Sequence, residues 1–380
     1  MIPSGEVQIL LWFALLFYSA VMFGLLAGLR LLPRDHNATS PRVSVIVAAR
    51  NEEQNIADLL DHLLRQDYPD FEIIVANDRS ADRTGEIVHQ YSSTHPEIHL
   101  VTIESLSADM PPKKHALAAA VGMSTGTILC FTDADCIPPP GWVSALVSCF
   151  DKETGLVAGF SPYSKPMHAS NSSKGPGILH KFIEYEEFKA ALWSAGSIGL
   201  NLGWLCTGRS LAYRRKVYDE VGGFEHIKGS VSGDDDLFLQ LVRRTTRWRI
   251  RYTLDRSGFV PTSPPLNFNA FVSQRTRHFS AGKFFPLSMK LFFLLFHGSN
   301  LLLLMAFVYG AASGLPVALL LPFLLKCFVD GVAYSFSAKT FDQSKFAKSF
   351  LLMEVFYVLY NTLIGPLGFI KRFEWKPSES

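Results

Sequence analysis

The sequence predicts an α/β domain with a mostly parallel sheet, helices on both of its faces and transmembrane helices on either side of it. Three observations carry this. Short β-branched apolar runs alternate with amphipathic segments between Arg42 and about Phe285. An uncharged run of 23 residues, Val7–Leu29, comes before them, and a second apolar mass follows. The expected organisation is therefore an N-terminal anchor over 1–32, an α/β domain over 42–285 that ends in an amphipathic interface segment, and a membrane region over 289–372 with two to three segments.

Val7–Leu29 is long enough to span a bilayer. A cleaved leader would want a basic start and a short apolar core, and only Glu6 stands before this long run. Arg30, Arg34 and Arg42 follow, which places the next segment in the cytoplasm and makes the protein an integral inner- or plasma-membrane protein. "VSVIVAA" (43–49) is a strand buried on both faces. "NEEQNIADLLDHLLRQ" is a helix, with acids in its first turn and Ile56, Leu59, Leu60, Leu63 and Leu64 at helical spacing. "FEIIVAN" is a strand, "SADRTGEIVHQY" a helix capped by Ser80, and "IHLVTI" a strand. "KKHALAAAVGMS" is a helix, and "GTILCFTDAD" a strand with its end.

The stretch 175–208 is apolar and aromatic but charged in its first half. As a helix it either lies at the membrane surface beside a cleft or packs against the sheet. Leu291–Ser313 reads as a span. Leu315–Tyr334 holds Pro322, Lys326 and Asp330, and Phe350–Ile370 holds Glu354, Asn361 and Gly365-Pro366. If all three crossed, the basic tail "KRFEWK" would lie outside while the basic "SAKTFDQSKFAK" stayed inside. Phe350–Ile370 is therefore expected to be re-entrant or surface-lying.

Composition narrows the chemistry. With 36 Lys+Arg against 34 Asp+Glu nothing points to nucleic acid, whereas 48% hydrophobic residues and 30 phenylalanines point to a membrane. Five cysteines, at 130, 136, 149, 206 and 327, have no CxxC spacing and read as free thiols without a zinc site. No GxGxxG or GxxxxGK[ST] follows a strand, which argues against a dinucleotide dehydrogenase and a P-loop NTPase.

The polar residues gather at strand ends, where open α/β sheets bind ligands. Arg50, Asn77 and Asp78 share one edge. Asp133 and Asp135 leave their strand at i and i+2, so both can turn toward one hard cation, Mg²⁺ or Mn²⁺; the plainer alternative is that they cap the helix near Trp142. Asp234, Asp235 and Asp236 either charge a helix N-terminus or, by mutual repulsion, supply a general base. In "FVSQRTRHFSAGKFF", Gln274, Arg275, Arg277 and His278 cluster, the arginines offering forks for phosphate, while Phe271, Phe279, Phe284 and Phe285 make the same segment amphipathic.

Taken in order, "NDRSAD", "KKHAL", "DAD", "GDDDL" and "QRTRH" resemble the membrane-attached, inverting family 2 glycosyltransferases of GT-A fold, with their D, DxD, D and QxxRW motifs; the resemblance covers 43–280. It implies that Asp78 contacts the nucleotide base and that Lys113 lies near the nucleotide, with Arg50 on the same side. It implies that Asp133 and Asp135 hold the diphosphate and its metal, and that Asp234 is the base, with Asp235 possible by a slip of one. Gln274 and Arg277 would hold the diphosphate or the acceptor, and Gly208 and His278 would face the acceptor. Asn77, Gly233 and His278 depart from the family pattern. His278 replaces the Trp of QxxRW, which argues against chain extension and for single transfer.

The implied reaction moves a sugar from a nucleotide-diphosphate sugar, uridine-linked by family expectation, to a hydroxyl of a lipid-borne acceptor, with inversion. The alternative is a polysaccharide synthase acting on a glycan chain. From other classes come a membrane nucleotidyltransferase, which would release pyrophosphate, and an inactive nucleotide-sugar-binding scaffold.

Overall fold

The computed structural model describes residues 5–34, 39–164, 177–314 and 317–370. Helix α1 (Gly5–Leu31) is followed by alternating strands and helices: β1 (Val43–Ala49), α2 (Ile56–Leu64), β2 (Phe71–Asp78), α3 (Thr84–Thr94), β3 (Ile98–Ile103), α4 (Pro112–Met123) and β4 (Ile128–Phe131). Every residue of β1 and β4 is buried, as their unbroken apolar runs demand. Two predicted helices begin later than their first residues suggest. The first starts at Ile56, because Asn51 takes a left-handed conformation (φ 51°). The second starts at Thr84, and Ser80 does not cap it: the Ser80 hydroxyl accepts the Asn51 N–H at 3.0 Å, while Asp82 accepts the Thr84 N–H at 3.0 Å.

The second half adds α5 (Trp142–Val147), β5 (Thr154–Ala158), α6 (Ile178–Gly199), β6 (Leu211–Arg214), α7 (Arg215–Glu220), α8 (Asp236–Thr245) and β7 (Arg249–Tyr252). The seven-stranded sheet runs β3-β2-β1-β4-β6-β5-β7. It is parallel from β3 to β4, and β6 lies antiparallel to both of its neighbours. Beyond it come α9 (Phe268–Ser280), α10 (Leu287–Ala312), α11 (Val317–Thr340), α12 (Phe350–Leu363) and α13 (Leu367–Ile370). Four stretches are long and apolar enough to cross a membrane: Gly5–Leu31, Leu287–Ala312, Val317–Thr340 and Phe350–Ile370.

Helix α6 joins the two parts of the molecule. One side crosses α1 so closely that a Cβ on Gly28 would stand 1.9 Å from the Gly196 carbonyl oxygen, and one on Gly199 1.9 Å from that of Gly28. It packs in the interior and also borders the cavity described below, so the two alternatives read from its sequence are both partly met. The last apolar stretch is broken. Helix α12 rises about 21 Å at 1.5 Å per residue, short of the roughly 30 Å hydrocarbon core. A turn through Gly365-Pro366 then sends α13 back onto α9, where a Cβ on Gly368 would meet Phe279 at 2.5 Å. The tail "KRFEWK" lies outside the described residues.

Candidate active site

Parallel register brings the strand ends together. Ala49 pairs with Asn77, so Arg50 and Asp78 come level just beyond. Asp78 is buried, and both of its oxygens accept from the Arg79 guanidinium at 2.7 Å. Neither Arg50 nor Asp78 belongs to the wall of the large cavity next to them, which has a volume of about 810 Å³. The other site residues expected from the sequence do line it, on its polar side.

Lys113, near the start of α4, stands between the two acidic motifs. Its Nζ lies 2.9 Å from Asp133 Oδ1 and 3.0 Å from Asp234 Oδ2. Burial works against the charge of both partners. For the lysine, Asp133 and Asp234 outweigh it and hold the ammonium above its ordinary value. For Asp234, Lys113 and then Lys114 outweigh it and hold the carboxyl below its ordinary range.

The three consecutive acids take three different environments. Asp235 caps α8: its oxygens accept the Asp236 N–H at 2.7 Å and the Gly208 N–H at 3.0 Å. Asp236 accepts the Cys206 N–H at 2.7 Å. Burial, and then the charge of the preceding aspartate, pushes both of these acids up. All three line the cavity, but among the described residues only Asp234 pairs with Lys113. Gly208 lies beside these acids and lines the cavity. An added Cβ would meet Asp235 at 3.6 Å and Asp234 at 3.7 Å, which is ordinary contact, so its contribution is the N–H rather than its size.

Lys114 was not singled out from the sequence, although it follows Lys113 directly. It is fully buried, and its ammonium donates to the carbonyls of Ser230 and Ser232 at 2.5 and 2.8 Å, fastening the loop that leads to Asp234. Burial lowers it to about 8.

Helix α9 supplies the opposite wall. Gln274 Oε1 accepts from the Tyr163 hydroxyl at 3.3 Å. The two arginines diverge. Arg275 turns inward to Glu186 and Glu187 on α6, lying 3.1 Å from the latter. Arg277 lines the cavity with no carboxylate partner among the described residues. His278 lies 3.4 Å from each arginine. Burial, followed by Arg277 and Arg275, keeps its imidazole far below its ordinary value and hence neutral. The membrane-proximal elements add apolar lining, Phe285, Phe293 and Leu294 together with Lys290 and His297 of α10, and Phe369 and Ile370 of α13.

Asp133 and Asp135 are the carboxylates that could hold a metal. Both line the cavity, and the Asp133 side chain is 33% exposed to it. No cluster of three or more His, Cys, Asp or Glu side chains suited to a metal ion exists among the described residues. Two hard carboxylate donors on an open cavity fit an ion that completes its shell with water and phosphate oxygens, the usual binding mode of Mg²⁺.

A sequence model of glycosyl transferase family 2 matches residues 44–222. The chain carries a family 2 glycosyltransferase domain. The chain is 31% identical over 230 residues to the probable glycosyltransferase YdaM of Bacillus subtilis, covering 57% of this chain and 52% of that protein. It is 23% identical over 213 residues to the beta-monoglucosyldiacylglycerol synthase of Trichormus variabilis, covering 55% and 42%. The chain thus spans about half the length of the curated relatives it matches. Its GT-A-like fold is shared with the mannosyltransferase PcManGT from Pyrobaculum calidifontis, solved with GDP-Man and Mn²⁺. The TM-score is 0.56 at 21% identity, over 94% of this chain and 99% of that one.

Proposed function

We propose that the protein is a membrane-bound, inverting glycosyltransferase that moves one sugar from a nucleotide-diphosphate sugar to a hydroxyl of a lipid-borne acceptor. The observation that carries this is one cavity whose lining includes Asp133, Lys113, Asp234 and Arg277 together with apolar side chains of α10 and α13. The name of the Trichormus relative, a synthase of a glycolipid, supports a lipid acceptor. The Pyrobaculum neighbour was solved with a nucleotide sugar, which supports the donor class.

In this reading 1–32 anchors the chain, 42–285 is the catalytic domain on the cytoplasmic side, and 289–372 is the membrane region. Arg50 and Asp78 mark the nucleoside end of the donor site. Asp133 and Asp135 hold Mg²⁺ or Mn²⁺, which when bound neutralises the leaving diphosphate as a Lewis acid. Arg277, a cavity-lining cation without a carboxylate partner among the described residues, takes the diphosphate oxygens, and Gln274 orients beside it. Asp234 accepts the proton of the attacking hydroxyl. It is preferred to Asp235, whose two oxygens are both taken by backbone N–H groups. One displacement on one base gives inversion without a covalent intermediate.

The test is nucleoside-diphosphate release by membranes given a panel of UDP- and GDP-sugars, divalent metal and a total lipid extract, with Asp234→Asn as control. Release that needs lipid and is lost in the variant is expected. Activity restored only by a soluble glycan would overturn the lipid acceptor, and pyrophosphate release would point to nucleotidyl transfer.

A further inference from the structure

Three further carboxylates line the cavity, Glu52, Glu186 and Glu187, the last two side by side on α6. Glu186 on α6 is 8% exposed and lines the cavity. Its Oε1 accepts from the Tyr360 hydroxyl of α12 at 3.2 Å, and its Oε2 faces Arg275 of α9. Its neighbour Glu187 is treated differently. Glu187 receives Arg209 at 2.5 Å on one oxygen and Arg275 at 3.1 Å on the other, so it is a saturated counter-ion. Despite burial, Arg209 and Arg275 hold Glu187 below its ordinary value.

Glu186 must share Arg275 and has only a phenol besides. Burial pushes its carboxyl up to about 7; Arg275 opposes this, and the charge of Glu187 adds to it. Tyr357 of α12, also on the cavity wall, completes its titratable surroundings, with Arg209 at longer range. A group wanted only to balance an arginine would be held low, as Glu187 is. Glu186 is instead pushed up by its burial, and its carboxyl can accept a hydrogen bond or, when protonated, donate one. Tyr360 beside it belongs to the wall that continues through Asn361 to Phe369, where a lipid chain would begin.

We infer that Glu186 selects the acceptor, by hydrogen-bonding a second polar group of the headgroup, a hydroxyl adjacent to the one that reacts. The inference rests on the glycosyl-transfer reading of this cavity and narrows its substrate class. The acceptor is a lipid with a diol or hydroxy-amide headgroup. An anionic headgroup is disfavoured here, because Glu187 stays ionised beside Glu186.

The test uses the full chain in detergent with two probes, a 1-monoacylglycerol and a straight-chain alcohol of matching chain length. The readout is the ratio of their kcat/KM values, which does not depend on how much enzyme is folded. Wild type is expected to prefer the diol by about tenfold, the scale of one hydrogen bond to a charged group. This preference should grow as pH rises through about 7, because the ionised carboxylate is the stronger acceptor.

Glu186→Leu is expected to bring the ratio close to unity. Glu186→Gln should keep part of the ratio and lose its pH dependence. An unchanged ratio in both variants, or a wild type without preference, overturns the inference. Nucleoside-diphosphate release to water without transfer to either probe overturns it too, while leaving the donor site standing. No release from any UDP- or GDP-sugar with any acceptor overturns the glycosyl-transfer reading itself.

Discussion

At the scale of single residues, Asp234 and Asp235 are distinguished by what already occupies their oxygens. Asp234→Asn is expected to lower kcat by about 10²–10⁴-fold, the usual contribution of a general base, with little change in thermal stability. Asp235→Asn should instead cost about 1 kcal/mol of stability, the scale of a lost cap, with the smaller effect on kcat. Thermal melts run beside steady-state kinetics separate the two. The pH profile follows from the sign of the shift. Asp234 is held below its ordinary range, so its ionised form persists as pH falls, and kcat is lost only below the usual aspartate region. At saturating acceptor, kcat should therefore be flat through neutrality, whereas acceptor KM varies with Glu186.

Legibility was uneven among these residues. Asp133, Asp135 and Asp234 could be read because acids at strand and helix ends are few and their spacing is chemical. Lys114 could not. A lysine on a helix is normally solvated, and what buries this one is a loop 116 residues further along the chain. Arg275 and Arg277 looked equivalent two positions apart, and only the position of α6 separates them.

At the scale of elements, α6 shows where sequence reasoning stops. Its composition allowed either a membrane-surface helix or a helix packed on the sheet. What fixes its place is the facing pair of backbones at Gly28 and Gly196–Gly199, and no pattern within one helix reveals its partner. The strands of the first half were legible to within a residue or two, since buried parallel strands are continuous apolar runs. Gly28→Leu has no room: it must push α1 off α6 and should cost about 3 kcal/mol or more, at the upper end of overpacking. The check is thermal unfolding in detergent, with Gly5→Leu as the control because a Cβ there meets nothing within 4 Å.

At the scale of the whole molecule, the long apolar helices are pinned to one another and to α6 by charge. Lys326 lies 2.7 Å from Asp330 and 3.4 Å from Glu354, and Lys189 of α6 lies 2.8 Å from Glu354. Tyr18 of α1 donates to Asp330 at 2.5 Å. The sequence presented Lys326, Asp330 and Glu354 as flaws in two spans; folded, they neutralise one another. Lys326→Met is expected to destabilise by about 3–5 kcal/mol, the effect of leaving buried partners uncompensated, and detergent melts would show it.

The same scale fixes a sidedness prediction. Phe341, just past α11, packs against Phe160 and Phe259 of the domain, and Asp342 pairs with Arg256 at 3.4 Å. The α10–α11 hairpin therefore leaves the domain and returns to it. Cysteines at Arg83 and Asp342 should be labelled from one side of the membrane, and one at Gly314 from the other. Labelling of all three from the same side would reject the crossing.

Lys113 has a consequence for how the protein survives before it meets any ligand. Acidic pockets that rely on a metal for their charge balance tend to come apart when it is withdrawn. Here the chain carries its own cation between Asp133 and Asp234, at 2.9 and 3.0 Å. Folding and metal loading should then be separate events. EDTA is expected to abolish transfer while leaving the melting temperature where it was, and readdition of Mg²⁺ or Mn²⁺ should restore turnover without a refolding lag. A newly made chain would then leave the membrane-insertion machinery already shaped, and remain dormant until metal and nucleotide sugar arrive.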